Sequence, residues 1–562
     1  MDTATTIVTD VLVIGGGGAG AMAAVKAKAH VSKVVAVNKG PYPSGNTSLA
    51  KGGFAAALGD ADSRDNPQVH LEDIMRVGMI NNAKVVKALT NEILELTKEL
   101  EHWGVEFVKT GDRYYQDIGV GYTYPRIIRH DAMGKALMKC LKEEVSGLGI
   151  DVLEHTVIAE LLTADDRVVG AWGIQVQTGQ PVVIHAKATV LATGGLGNLF
   201  PVSDNVQGVT GEGYVLGFRA GCELVDMEMA DYQMIPCYPE AMKGHNPHAD
   251  LFLESGKARL YNGLRERFIK RYYPDTREQG TARALVARCI ANEISDGRVG
   301  EHGGIFLDAS DMTPDLLAKA HFKSAVEAFR NAGVDLAWQP MELVLATHSS
   351  LGGVRIDDTC SSNVKGLFAC GEVAGGLHGA ARLGASALSG MLATGSIAGR
   401  NAAQYALTLK KQILCNERQM SDAKHKLETR VSSKEGIEPV ELKKSIQAVT
   451  GRYLNMARDA EGLTKALHEL KRIEEGMLPH LSARTSDRAA IGTRLRDAIE
   501  AEGQLELAQI IATAALCRQE SRGGHYRKDY PHQDDEHWLK NIILRREGSA
   551  ISYGTAPVVR EE

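Results

Sequence analysis

The chain opens its regular pattern with a short apolar run at 10–14, DVLVI, then a glycine cluster, then an alanine-rich stretch. That order predicts a buried strand, a tight turn and a buried helix. A second apolar run, KVVAVNK at 33–39, reads as the next strand. Helical periodicity follows around 67–103 and 131–148, and strands are predicted near 151–162, 167–177 and 182–193. ATVLATGG (188–195) is a second strand running into glycines, and GLFACG (366–371) is a third, followed by a small-residue helix from about 384. Exits this far apart in sequence predict one nucleotide site assembled from distant segments. The segment between the second and third exits then forms an inserted lid over it. From about 411 the pattern turns to charged helices such as TKALHELKRIEEG (464–476), ending in a polar tail with little periodicity. The expected architecture is α/β. A Rossmann-like domain spans 1–230 and 353–410, an α+β capping domain 231–352, and a helical C-terminal domain with its tail 411–562.

Bulk properties narrow the function classes. The 562 residues are too many for one core, and 44% hydrophobic with 24% charged residues is ordinary for a globular protein. Glycine, at 59 residues, is in excess, as close backbone approaches require. A net charge of −6 and the lack of a basic–aromatic stripe give no reason to expect nucleic acid. Eight scattered cysteines without a C-x-x-C pair suggest neither an iron–sulfur cluster nor a metal site, and fit a reducing, cytoplasmic setting. No basic-then-apolar leader opens the sequence and no run of about 18 apolar residues occurs, so any membrane association is expected through another chain.

The first glycine cluster has G-x-G-x-x-G spacing at Gly15, Gly17 and Gly20. Between a strand and a helix, that spacing lets backbone N–H groups meet a pyrophosphate at the helix N-terminus. The second strand ends in Asn38–Lys39 instead of the acid that often holds a ribose hydroxyl. SGNTSLAKGGFAAAL (44–58) is a second small-residue passage, suited to a backbone lying against a flat ring. His348 in LATHSSLGGVRID could bind a substrate or merely enter a tight turn, and its neighbours do not decide between these. Arg283 alone reads as a solvated helix face, and Glu254 as a surface acid.

Longer motifs settle more. VLVIGGGGAGAMAA, VLATGGLGNLF, TGEGYVLGFRAGCELVDMEM, LFACGEVAGGLHGAARLGASALSGMLATG and RQESRGGHYRKDYPHQDDEHW run over nearly the whole chain. In these the sequence resembles the flavoprotein subunits of succinate dehydrogenase and fumarate reductase, with L-aspartate oxidase among their relatives. The resemblance implies FAD, a capping domain inserted in the flavin-binding domain, and a helical C-terminal domain. It implies Arg283 as the group exchanging a proton with the substrate carbon. Arg382 and His348 match carboxylate-binding positions, Glu254 a proton-relay acid, and Glu372 a contact to the ribityl chain. With the glycine motifs, the expected cofactor set is Gly15, Gly17, Gly20, Lys39, Asn46, Thr47, Gly52, Gly53, Gly195, Glu372, Ser386 and Leu388.

Four departures stand against that pattern. Lys257 replaces the relay arginine, with Arg259 nearby, and a lysine lacks the planar fork. The second carboxylate-binding histidine is absent, leaving Gln233 or Met234. Leu253 replaces a threonine, and Asn46 replaces the histidine that bonds covalently to FAD, so a non-covalent flavin is expected. The losses predict a pocket less cationic and more apolar at one end, and a substrate other than a plain four-carbon dicarboxylate. The resemblance thus implies reduction or formation of a carbon–carbon double bond beside a carboxylate. It also implies a further partner, an iron–sulfur protein that carries the electrons. An amino-acid oxidase and an electron-transferring flavoprotein without its own substrate remain open alternatives.

Overall fold

The computed structural model describes residues 5–130, 132–274, 283–415, 417–432 and 436–561. Residues 280–282, which run directly into Arg283 in the sequence GTARALVARC, lie outside them.

Strand β1 (Thr5–Ile14) and helix α1 (Gly18–Lys28) are joined by the first glycine exit. The next strands are β2 (Val34–Val37), β3 (Asp151–Leu153), β4 (Thr156–Ala164), β5 (Arg167–Gln175) and β6 (Pro181–Leu191). They form a sheet in the order β3-β2-β1-β6-β5-β4, with the strand Leu367–Ala369 alongside β6. Parallel pairing runs through β3, β2, β1, β6 and Leu367–Ala369, whereas β5 is antiparallel to both β6 and β4. The inner parallel strands β2 and β6, with the second half of β1, are buried on both faces, which is why they are rich in Val, Ile, Leu and Ala. The expected single strand at 151–162 is two strands, broken where His155 takes φ 50°. The helical stretch 67–103 is likewise two helices, Pro67–Gly78 and Ala83–His102.

The capping segment carries its own core. β7 (Ala230–Tyr238), β8 (Arg259–Tyr261), β9 (Ile305–Asp308) and β10 (Met341–Ser350) pair antiparallel in the order β7-β10-β9-β8. Helices α2 (Ala249–Glu254) and α3 (Arg283–Ser295) contribute Phe252, Leu253, Val286, Cys289 and Ile290 to this core. The strand limits fall within two residues of the expected 231–352 segment.

The C-terminal region departs from expectation. Long helices are present, including Ile491–Cys517, but the expected polar tail is a β-hairpin of Lys540–Glu547 and Ala550–Pro557. Its first strand pairs with Leu224–Val225 of the nucleotide-binding domain. The RQESRGG stretch is interior: Arg518, Glu520 and Arg522 are fully buried and ion-paired to one another, and Arg518 also to Glu228. A Cβ on Gly524 would lie 1.7 Å from the Ala230 carbonyl oxygen, so the glycine lets this stretch press against the start of β7. No described helix is long and apolar enough to cross a membrane.

Candidate active site

The three glycine exits meet. A Cβ at Gly15, where φ is +116°, would fall 2.2 Å from Ala192 O at the end of β6. One at Gly195 would fall 2.0 Å from Glu372 Oε1, and Gly371, where φ is +70°, packs on Ala19 of α1. Exits from β1, β6 and Leu367–Ala369 therefore share one crevice at the carboxyl ends of the parallel strands, where open α/β sheets bind ligands.

This crevice fits FAD. Helix α1 starts at Gly18 with no side-chain cap and no acid in its first turn. The long helix Ser386–Thr408 begins in the same way. Both leave backbone N–H groups for phosphate or carbonyl oxygens. A Cβ on Gly52, Gly194 or Gly384 would meet no chain atom within 4 Å, so those backbones line open space. Thr47 Oγ1 accepts from Gly18 N at 3.3 Å, and the Asn46 side chain bonds Asn205 and the Val206 N–H. Ser386 bonds Tyr122 Oη at 2.9 Å, and Leu388 is buried beside it. Gly17 has almost no chain atom near its α-carbon face, whereas Gly53 takes φ +106° against Ile128 O. Two sequence expectations shift. Asn38, in place of a ribose-binding acid, accepts from Gly16 N and bonds Ser44, so it holds the glycine turn. Lys39 is neutralised by Glu212 and Glu500, contacts that tie this domain to the C-terminal helix.

Opposite the crevice lies a cluster of cations and carboxylates. Asp231, at the start of β7, accepts from both arginines through one oxygen: Arg382 Nη2 at 2.6 Å and Arg283 Nη1 at 3.0 Å. Arg283 sends its other arm, Nη2, to Asp250 of α2 at 2.7 Å. Arg382 and Asp231 side chains are only 6% and 8% exposed. Burial alone would raise the Asp231 carboxyl, but Arg283, Arg382 and His348 together hold it well below the ordinary range. Burial likewise works against the Arg283 charge and is outweighed by Asp231 and Asp250, so its pKa rises.

His348 sits in a β-bulge. Asp231 pairs with Ser349 and Tyr232 with Thr347, which leaves His348 as the extra residue of β10. Bulges re-aim side chains, and this one sets His348 Nδ1 2.8 Å from Asp204 Oδ2. Burial favours the neutral ring, yet the Asp204 carboxylate prevails and raises the His348 pKa above its usual value. Asp204 is itself positioned by Asn246 and Asn205. Glu372 accepts from Ser350 N at 3.0 Å, and burial lifts its carboxyl to about 7.

The structure thus gathers Arg283, Arg382 and His348, as the sequence led one to expect, and adds Asp231, Asp250 and Asp204, which it did not. Glu254 stands at the rim, exposed to solvent yet crowded enough that burial, with Asp250 nearby, raises it to about 7. Of the two acids on α2, it is Asp250, one helical turn before Glu254, that touches Arg283. Lys257 is exposed just past the end of α2 and makes no ion pair or side-chain hydrogen bond with Arg283 or Glu254 among the described residues. Gln233 is buried, and its Oε1 has no partner among the described residues, as is also true of Asp250 Oδ1 and Arg382 Nε. Three unpartnered polar atoms in one buried region are what a polar ligand satisfies, since each orphan costs about 1–3 kcal/mol.

A Rossmann-like crevice facing a buried arginine–carboxylate cluster defines a flavin-dependent oxidoreductase. Residues 10–388 match the family described as FAD binding domain, and residues 443–562 match Fumarate reductase flavoprotein C-term. The chain belongs to the fumarate reductase and succinate dehydrogenase flavoprotein family. It is 35% identical over 543 residues to one subunit of the fumarate reductase (CoM/CoB) of Methanothermobacter marburgensis, covering 96% of this chain and 97% of the relative. It is 30% identical to L-aspartate oxidase of Streptomyces coelicolor, covering 96% and 92%. Among solved structures, Mycobacterium smegmatis Sdh1 in complex with UQ1 matches with a TM-score of 0.89 at 30% identity, covering 99% of this chain and 95% of that one. The expectations of FAD, of the three-part fold and of the oxidoreductase class are borne out.

Proposed function

We propose that this enzyme reduces, or forms in reverse, a carbon–carbon double bond next to a carboxylate. The observation carrying this reading is the convergence of Arg283 and Arg382, far apart in sequence, on one carboxylate oxygen at 3.0 and 2.6 Å, beside His348. A carboxylate-binding, charge-absorbing set is what such chemistry needs, because negative charge builds on the substrate carboxylate as it becomes enolate-like. FAD, when bound, supplies the hydride-transferring ring.

The remaining tasks fall to the chain. Arg382 and the protonated His348 ring hold and polarise the substrate carboxylate. Arg283 moves the proton at the reacting carbon. A guanidinium with a raised pKa is a poor acid, so its proton must be replaced promptly, and Asp250 touches it for that purpose. Glu254, at the rim with a carboxyl near 7, connects Asp250 to solvent. Capping strands β7 and β10 exclude water from the crevice. Asn46 leaves no histidine for a covalent flavin bond, so acid precipitation is expected to leave yellow FAD in the supernatant. Flavin remaining in the pellet refutes that. An iron–sulfur partner protein delivering electrons belongs to the same proposal.

The test is direct. The flavin is reduced chemically without oxygen, mixed with unsaturated acids including fumarate, and followed by absorbance. Rapid reoxidation by an acid supports the proposal. Reoxidation by oxygen alone, with peroxide and ammonia formed from an amino acid, replaces it by an amino-acid oxidase. Flavin that no acid reoxidises points to an electron carrier.

The relay makes its own prediction. In the reductive direction Glu254 donates while protonated, so activity falls as pH rises through about 7. Glu254→Gln is expected to lower the rate and abolish that limb of the pH–rate profile. A variant retaining the limb removes Glu254 from the relay.

A further inference from the structure

Resting on the reading of the pocket as a carboxylate site, we infer that Asp231 is a specificity-determining residue that occupies the place of a substrate charge and selects acids bearing a single negative charge. Three observations lead there. First, among the described residues Arg283, Arg382 and His348 each already meet a carboxylate: Asp231 and Asp250, Asp231, and Asp204 respectively. Their charge is thus already balanced by carboxylates, with Glu254 and Glu372 close by as well, and little is left to offer a dianion. Second, both terminal nitrogens of Arg283 are engaged by Asp231 and Asp250, and Nη2 of Arg382 is engaged by Asp231. A second substrate carboxylate would have to displace Asp231 or sit beside it as a like charge in a buried site. Third, Gln233, two residues along the same strand, is neutral and keeps a buried Oε1 unpartnered among the described residues. Its amide can hydrogen-bond a ligand but brings no positive charge to balance a second carboxylate, and Asp231 on the same strand repels one.

This goes further than an apolar pocket end: the strand adds an anion where the sequence suggested only the loss of a cation. One carboxylate is still accepted through His348, whose Nε2 makes no hydrogen bond among the described residues, and through Arg382 Nε, which is buried without a partner among them.

The experiment measures dissociation constants on the FAD-loaded, oxidised enzyme, by perturbation of flavin absorbance and by calorimetry. The ligands are two matched four-carbon pairs, succinate against butyrate and fumarate against crotonate, tested on the native protein and on Asp231→Asn. The native protein is expected to bind each monocarboxylate more tightly than its matched dicarboxylate. Asp231→Asn is expected to shift each ratio at least tenfold towards the dicarboxylate, since one buried like charge at contact distance is removed. A purely structural role would weaken both ligands alike and leave the ratio unchanged, which overturns the inference. So does a native preference for succinate over butyrate or fumarate over crotonate, a result that stands even if the variant does not fold. So does no measurable binding of either class. Because binding is read without turnover, a protein that binds monocarboxylates selectively yet reduces none overturns the proposed reaction and leaves the selectivity standing.

Discussion

Arg283→Lys is expected to slow reoxidation of the reduced flavin by the best acid substrate roughly 100- to 10,000-fold, the usual range for loss of a positioned acid–base group. Bound FAD should be unchanged. The charge survives in lysine, so a purely electrostatic role would be largely preserved. What is lost is the fork. Arg283 reaches Asp231 with one arm and Asp250 with the other, 3.0 and 2.7 Å away. A lysine ammonium on a flexible stem cannot span both carboxylates while presenting a proton to a carbon between them. The alternative weighs charge over geometry and predicts a drop of less than about tenfold. Rapid mixing of reduced variant with substrate, with substrate affinity measured separately, distinguishes the two. A variant keeping more than a tenth of the native rate would end the assignment of Arg283 as proton donor.

Different parts of this arrangement were legible in the sequence to different degrees, for physical reasons. The three glycine exits could be read because close approaches favour glycine: Gly15 against the Ala192 backbone leaves no room for a Cβ, and one at Gly195 would meet the Glu372 carboxyl. The inner parallel strands could be read because burial on both faces enforces runs rich in apolar residues. The C-terminal hairpin could not. Its inner strand buries four consecutive residues, Asn541–Leu544, and its outer strand alternates only between half-buried and exposed positions, so neither shows the buried–exposed alternation of a half-buried strand. Asp231 escaped notice because an acid within an apolar strand has no local partner. Its counter-charges come from residues 52 and 151 positions away along the chain. Asp204 is the same case, its histidine lying 144 residues on. Lys257 is the opposite case, a charge placed by motif alone that lies exposed. A retained charge at a motif position says nothing of the direction in which the chain turns after a six-residue helix.

Gly20→Val is expected to abolish FAD binding and to cost more than about 3 kcal/mol of stability, or to prevent recovery of folded protein, since overpacking against rigid backbone exceeds the usual 1–3 kcal/mol. A Cβ at Gly20 would lie 1.9 Å from Gly15 O and 3.2 Å from the Ala192 side chain. Neither neighbour can yield: Gly15 is fixed by its own bond to Val37 O, and Ala192 by its bond to Ile14 O. The added side chain must therefore push α1 away from β1, and α1 is buried along nearly its whole length. Gly52→Ala gives the contrast. Its Cβ would meet no chain atom within 4 Å and its backbone does not require glycine, so the fold should tolerate it. If that backbone lies against the flavin, Gly52→Ala weakens FAD binding while the apoprotein melts at the native temperature. Thermal melts of apo and FAD-loaded protein for both variants separate the two kinds of glycine. Equal destabilisation of the apoprotein by both would mean that Gly52 serves packing and that the flavin plane lies elsewhere, whereas a stable Gly20→Val protein would show that α1 can move off the sheet.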